Sequence, residues 1–305
     1  MCYSAKIQAD YREYVRLYGA DIDVDTLREL YFERAAHGAV KIPQAVDAAL
    51  LAAPVSDDIT SAIHDYRNRR TGELELELFT QRTRLAAAER KLQLKVTKAA
   101  SEDARIATDK IAAALRNLND LRRQDLRDGE SRIFPGWYAP VLIQLDGKRR
   151  IVPMRYRCRI PGWTEADEKK KPGCYNSRVT SLSTAWREVF GYTHGIVLAE
   201  TFFEHVDRDG QDVVLRFDPT PPQQMQLACL WTRTEIPGAA DLWSFAAITD
   251  EPPPEVAAAG HDRCPVPIKS SNVDAWLAPD PSRRADLREI LADRERPYYQ
   301  HQLAA

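Results

Sequence analysis

The spacing of apolar residues changes character along this chain, and the change divides it. From about 25 to 70 the spacing is helical, with interruptions near Pro43 and Pro54. Asp25 or Thr26 is positioned to cap a helix through Leu27, Leu30 and Tyr31, and Thr26 with Glu29 has the separation of a capping box. A second helix begins near Asp57 and carries Ile59, Ile63 and Tyr66. Between Glu73 and Asp128 there is neither proline nor glycine, and strong helix formers dominate. Leu78, Leu85, Leu92, Val96, Ile111, Leu115 and Leu118 recur there at helical intervals. One helix of that length would run roughly 85 Å. Ser101, followed by Glu102 and Asp103, therefore reads as the cap of a second arm, with Thr97 to Ala100 ending the first. The expectation is an antiparallel helical hairpin over 72–129, bracketed by Gly72 and Gly129.

Beyond Gly129 the period falls to two. The segments 141–145, 150–160, 195–206, 212–217, 225–233 and 242–249 are rich in Val, Ile, Phe, Trp and Leu. Gly147 and the Asp207–Gly210 run mark hairpin turns. Short strands punctuated this way predict an α+β fold: an antiparallel, barrel-like β core with flanking helices and the helical hairpin inserted into it. The chain, 1–305, is expected to form a single domain, with residues 282–305 as a charged helix and loose tail.

Composition narrows the chemistry. The 43 basic and 45 acidic residues nearly balance, so no global basic field advertises nucleic acid, although a local basic groove suffices for a single strand. Five cysteines (Cys2, Cys158, Cys174, Cys229 and Cys264) are widely spaced with no CxxC pair, which argues against a zinc site or a disulfide framework. No metal and no cofactor is expected. The absence of a signal peptide or a bilayer-length apolar run predicts a cytoplasmic, nucleoid-associated protein without a membrane partner.

Cys2 has the most distinctive chemistry. Removal of Met1 would leave an α-amine and a thiol on adjacent carbons. That pair condenses with an aldehyde, first as a Schiff base and then, by thiol addition to the same carbon, as a five-membered thiazolidine. Both groups titrate near neutrality, at roughly 8 for the amine and about 8.5 for the thiol. Three further segments accompany it: Tyr175-Asn176-Ser177-Arg178, Glu200 to His205, and Gly260-His261-Asp262-Arg263-Cys264-Pro265.

In that order, a Met-Cys start, an Asn-Ala-Arg-like motif, an aromatic-aromatic-Glu motif and a His-x-Arg-x-Pro motif resemble the SOS response-associated peptidase (SRAP) family. Further likeness lies in Arg149 to Trp163, Cys229-Leu230-Trp231, Ser244 to Thr249 and Trp276-Leu277. The resemblance covers residues 1–20 and 130–280 and leaves 72–129 outside the family's usual pattern. It implies a protein that recognises abasic sites in single-stranded DNA and links itself to them covalently. Cys2 would form the thiazolidine with the ring-opened sugar, and Asn176 would hold the sugar. Glu204 would move protons at the α-amine, and His261 would open the closed sugar. Arg178 and Arg263 would grip flanking phosphates. The family name reflects a proposed self-cleavage that releases Met1.

The residues themselves suit these tasks. A histidine is an apt acid–base near the ring oxygen, and a carboxyl with a raised pKa serves imine formation. Arg155, Arg157 and Arg159 alternate at strand spacing with Trp163 close by, a candidate DNA-binding platform of charge and aromatic surface. Tyr3, Ser4, Thr180 and His205 depart from the family pattern; the last replaces a tryptophan and removes an expected stacking surface. Two alternatives stay open: a cysteine peptidase or amidohydrolase using Cys2, His261 and Glu204 or Asn176, and a non-catalytic protein whose 73–128 hairpin recruits a protein partner.

Overall fold

The computed structural model describes residues 3–123, 125–171 and 173–304. It is an α+β protein, and its contacts divide it into two units. One comprises Met1–Leu30, Val40–Ser56 and Asp128–Ala305; the other comprises Tyr31–Ala39 and Asp57–Arg127.

In chain order the first part contains β1 (Ser4–Ile7), α1 (Tyr11–Tyr18), β2 (Asp21–Ile22), α2 (Val24–His37), α3 (Gln44–Ala52), α4 (Asp57–Leu94) and α5 (Lys98–Arg122). Then follow β3 (Arg132–Ile133), β4 (Tyr138–Leu145), β5 (Lys148–Tyr156), α6 (Glu165–Lys170), β6 (Asn176–Arg178), β7 (His194–Arg208), β8 (Gln211–Thr220) and β9 (Met225–Thr234). The chain finishes with β10 (Leu242–Asp250), α7 (Pro254–Ala258), β11 (Cys264–Pro265), α8 (Val273–Leu277), α9 (Arg284–Ala292) and β12 (Tyr298–Leu303).

The second unit is built on the expected hairpin, with different boundaries. Helix α4 starts at Asp57 and runs through Gly72 without a break, so that glycine brackets nothing. The turn is set by Thr97, whose side chain accepts the Ala100 N–H at 3.2 Å and caps α5; Ser101 lies inside the helix. Leu74, Gln81 and Ala88 on one arm and Ala100, Ala107 and Ala114 on the other are buried at seven-residue spacing. That is a coiled-coil seam of mostly small side chains. The predicted Leu78, Leu85 and Leu92 are only half-buried, and Val96 is exposed, because the seam follows the small residues instead. Arg84–Asp103 (2.6 Å) and Arg122–Glu75 (2.8 Å) tie the arms across their outer faces.

In the first unit the twelve strands among the described residues form one sheet. Strand β9 pairs with both β7 and β10, and β10 returns through β5 and β4 to β7, so the sheet is partly ringed and falls short of a closed barrel. Most pairings are antiparallel; β2–β5, β5–β10 and β6–β10 are parallel. Both hairpin turns read from Asp-Gly pairs are present. Asp146-Gly147 has φ values of 51° and 74°, and Asp209-Gly210 has 56° and 78°, the left-handed pair that a two-residue hairpin requires. The inner faces of β4, β5, β7, β8, β9 and β10 supply one core that includes Val141, Val152, Phe202, Phe217 and Phe245.

Several short elements escaped the periodicity: β1, α1, β2, β3, β6 and β11. Helix α2 begins at Val24, at least two residues before a cap at Asp25 or Thr26 would allow, because Asp23 takes the cap, accepting the Thr26 N–H at 3.0 Å. The 282–305 stretch holds α9 and an edge strand, β12, which pairs with β8 from Thr220 to Leu215 and buries Tyr299. Among the described residues no helix is long and apolar enough to cross a membrane.

Gly195 lies where β4, β7 and β9 converge. A Cβ there would meet Val141 Cγ1 at 3.0 Å, Cys229 Sγ at 3.1 Å and the Leu142 carbonyl at 3.1 Å. Gly195→Ala is expected to cost about 1–3 kcal/mol by overpacking. A urea midpoint equal to that of the wild type would contradict this.

Candidate functional site

Glu204 lies on β7 just past the point where β1 stops pairing, since Ser4 is opposite Phe203. The next residue of the leading strand, Tyr3, donates its backbone N–H both to the Phe203 carbonyl (3.3 Å) and to Glu204 Oε2 (3.2 Å). Glu204 and Val206 are both buried, and Gly260 packs over Val206. Gly260 has φ of +101°, a conformation that favours glycine. The short helix α7 and this glycine carry His261 over the carboxyl, with Nε2 at 3.4 Å from the same Oε2. His261 Nδ1 lies 2.8 Å from the Arg263 carbonyl, which can only accept, so Nδ1 carries the proton and Nε2 presents its lone pair to Glu204.

The electrostatics follow from burial. Glu204 is wholly buried, and desolvation raises its pKa well above the usual carboxylate value, opposed by the Tyr3 N–H and by Arg263. Burial likewise lowers His261, against the hydrogen bond to the Arg263 carbonyl. Both shifts favour an uncharged pair that shares one proton. Glu204 Oε1 is buried and has no hydrogen-bond partner among the described residues. An unsatisfied carboxyl oxygen in a buried place marks where an incoming donor would be welcomed.

Asn176 opens β6 and pairs with β10 at Ala247. Its Oδ1 accepts the Tyr156 hydroxyl at 3.2 Å, and Tyr156 packs edge-on against Tyr175. Two residues on, the Arg178 guanidinium lies 3.6 Å from Asp262, next to His261. Arg263 grips the same Asp262 carboxylate in a fork of 2.9 and 2.8 Å, and that contact holds its pKa well below the usual range. Arg178, Asp262 and Arg263 thus form one half-exposed cluster beside His261. Cys2 lies outside the described residues.

The arginine ladder has a different environment from the one its alternation predicts. Strand β5 ends at Tyr156, and the chain bends at Arg157, whose N–H still reaches the Phe245 carbonyl of β10 at 3.1 Å. Arg155 and Arg159 converge on the buried Glu168 of α6: Arg155 bonds Oε1, and Arg159 meets Oε2 through Nε (3.0 Å) and Nη2 (2.7 Å). Arg157 donates to the Glu168 carbonyl at 2.5 Å. Their donors face inward, so no open cationic face is formed by the three. Trp163 is half-buried, with the Lys171 ammonium 4.6 Å above its ring.

Other rings gather near Tyr3. Its ring meets His205 edge-on at 4.3 Å and Phe134 at 5.5 Å, and Phe134 is 5.6 Å from Trp137. The Arg132 guanidinium lies 3.6 Å from Phe203 and 4.8 Å from Phe134. Tyr3, Phe134, Trp137, Asp262 and Glu168 lie outside the segments whose period could be read, and for Tyr156 and His205 the period gives a strand but not a partner. The Asp-Arg adjacency at 262–263 and the lone tyrosine between two arginines were the hints available in sequence.

A family model described as SOS response associated peptidase (SRAP) matches residues 97–304, beginning at the cap of α5. Solved structures similar to this chain include a Bordetella bronchiseptica protein, 18% identical, covering 57% of this chain and 87% of its own, with a TM-score of 0.48. A Bacteroides thetaiotaomicron protein is 15% identical, with coverages of 57% and 77% and a TM-score of 0.47. A phage-related protein of Bordetella bronchiseptica is 16% identical, with coverages of 60% and 85% and a TM-score of 0.42. No curated protein matched the chain.

Proposed function

The chain belongs to the SOS response associated peptidase (SRAP) family, and from that premise we propose that it captures abasic sites in single-stranded DNA as a covalent adduct of Cys2. The reading rests above all on one observation. The residue that follows position 2 donates its backbone N–H to a buried carboxyl whose other neighbour is an imidazole.

After removal of Met1, the Cys2 amine attacks the open-chain aldehyde and expels water as a Schiff base. The thiol then adds across that bond, and its proton passes to nitrogen, closing the thiazolidine. Every step moves a proton between nitrogen, oxygen and sulfur. A neutral Glu204–His261 pair is equipped for this traffic, because a carboxyl of raised pKa still holds a proton to give near neutrality and a histidine of lowered pKa is still unprotonated and able to take one. His261 opens the closed sugar at its ring oxygen, and Asn176 orients the sugar through its amide. Arg178 and Arg263 bind the flanking phosphates by exchanging Asp262 for a phosphate oxygen, a bidentate site that guanidinium geometry suits. The adduct shields the lesion from strand cleavage.

The test is incubation of the Met1-free protein with a single strand carrying one abasic site. A heat-stable protein–DNA band is expected, and none with Cys2→Ala or after borohydride reduction of the sugar aldehyde. Persistence of the band in either control removes the mechanism. Repeated turnover on peptides, in place of one adduct per chain, would substitute the hydrolase reading.

A further inference from the structure

We propose that Tyr3, Phe134, Trp137 and His205 form a base-stacking track for the nucleotides on one side of the lesion, a role that rests on the DNA reading above. The track replaces the surface that the Arg155–Arg159 ladder does not provide.

Its rigidity comes from the backbone. Phe134 and Trp137 are the ends of a tight turn closed by the Trp137 N–H to the Phe134 carbonyl at 2.9 Å, with Gly136 at φ +92°. Two more bonds clamp the turn to Tyr156: Gly136 N–H to the Tyr156 carbonyl (2.6 Å) and Tyr156 N–H to the Trp137 carbonyl (2.7 Å). Tyr156 in turn bonds Asn176, so the turn and the site share one support. Rings on a fixed backbone lose little freedom when a base stacks on them.

Its surface has the composition that single strands need. Tyr3, Phe134 and Trp137 are half-buried, Trp137 packing partly against the core, and His205 is exposed, so each keeps part of its surface in solvent. Asp212 holds His205 Nδ1 at 2.8 Å and orients that ring against Tyr3. Two cations flank the row. Arg132 lies against Phe134, and Lys41, which is exposed, pairs by its backbone with Trp137. Aromatic faces interleaved with basic side chains are the recurring design for single-strand binding without base-pair readout.

Its position gives the track a direction. Glu204 Oε2 is shared by the backbone of Tyr3, where the rings begin, and by His261, where the Arg178–Arg263 cluster begins. In this proposal a strand bound at Glu204 meets the rings on one flank and the arginine pair on the other.

The decisive variants are Trp137→Leu, which keeps apolar volume and loses the ring, and Trp137→Phe, which keeps a ring. Fluorescence anisotropy with an undamaged thymidine homopolymer should show Trp137→Leu binding roughly ten- to hundredfold more weakly, with most of the affinity retained in Trp137→Phe. Thermal melting establishes that both are folded. Two further oligonucleotides carry the abasic site at the 5′ or the 3′ terminus; cross-linking of Trp137→Leu should slow with one and stay near wild type with the other. Equal affinity of all three proteins, or equal slowing with both oligonucleotides, overturns the track while leaving the adduct chemistry intact. Ring-dependent binding without any covalent band would instead overturn the chemistry and leave the track standing.

Discussion

Glu204→Gln is expected to slow adduct formation by about 10²–10⁴-fold while making the folded protein more stable above pH 4.5. The two effects share one cause. A glutamine keeps the acceptor for the Tyr3 N–H but cannot give or take the proton that imine formation requires. The buried carboxyl is raised by desolvation, so the native state retains a proton that the unfolded chain releases near its ordinary value of 4.5. Native binding of more protons means that stability falls as pH rises. That contribution is complete below 4.5 and is lost as pH climbs through the raised pKa, with each tenfold difference in proton affinity between the folded and unfolded chain worth about 1.4 kcal/mol. The variant lacks this slope. Urea midpoints of the two proteins should coincide near pH 4 and diverge in favour of glutamine by pH 8. His261 contributes the opposite slope, since its lowered pKa makes stability fall as pH drops below 6.5, and both proteins share it. Parallel curves from pH 4 to 8 would show that the carboxyl is ionised and solvated in the native state.

Replacing Glu168 with leucine should cost about 3–5 kcal/mol, a large fraction of the roughly 5–15 kcal/mol that holds a domain together. The carboxylate is 3% exposed and is the shared counter-charge of Arg155 and Arg159, the second of which is itself buried. Its removal strands two guanidinium groups with little access to water. Removing the whole cluster differs, because no charge is left unpaired. The triple variant Arg155→Met, Arg159→Leu, Glu168→Met should recover most of the loss. Chemical denaturation of both proteins decides the matter. A Glu168→Leu protein as stable as the wild type would mean that the arginines reach solvent, which would restore them as candidates for a phosphate-binding face.

These expectations turn on features with different visibility in sequence. The hairpin was legible because helix formers without proline or glycine can do little else over such a length, and two helical arms bury a face together. Its seam was not, since alanines at seven-residue spacing carry a weak apolar signal beside the leucines that flank them. Strands β4, β5 and β7–β10 announced themselves through β-branched and aromatic runs, and the two Asp-Gly turns through their need for left-handed backbone. Strands as short as β1, β6 and β11 offered two to four residues, too few for any period to be read. Yet these are the elements that carry Asn176 and bring Tyr3 to Glu204.

Local chemistry was therefore determined by the sequence alone: which residues can donate a proton, attack a carbonyl, cap a helix or turn a hairpin. Those capacities belong to single side chains and near neighbours. Which arginines are consumed by an internal carboxylate, which carboxyl loses its water, and which rings face outward was decided only in three dimensions. Desolvation and counter-charge depend on groups that approach from remote parts of the chain. Glu168 and Arg159 are nine residues apart, Glu204 and Tyr3 more than two hundred, and the physics at each place depends on which of its neighbours the sheet delivers.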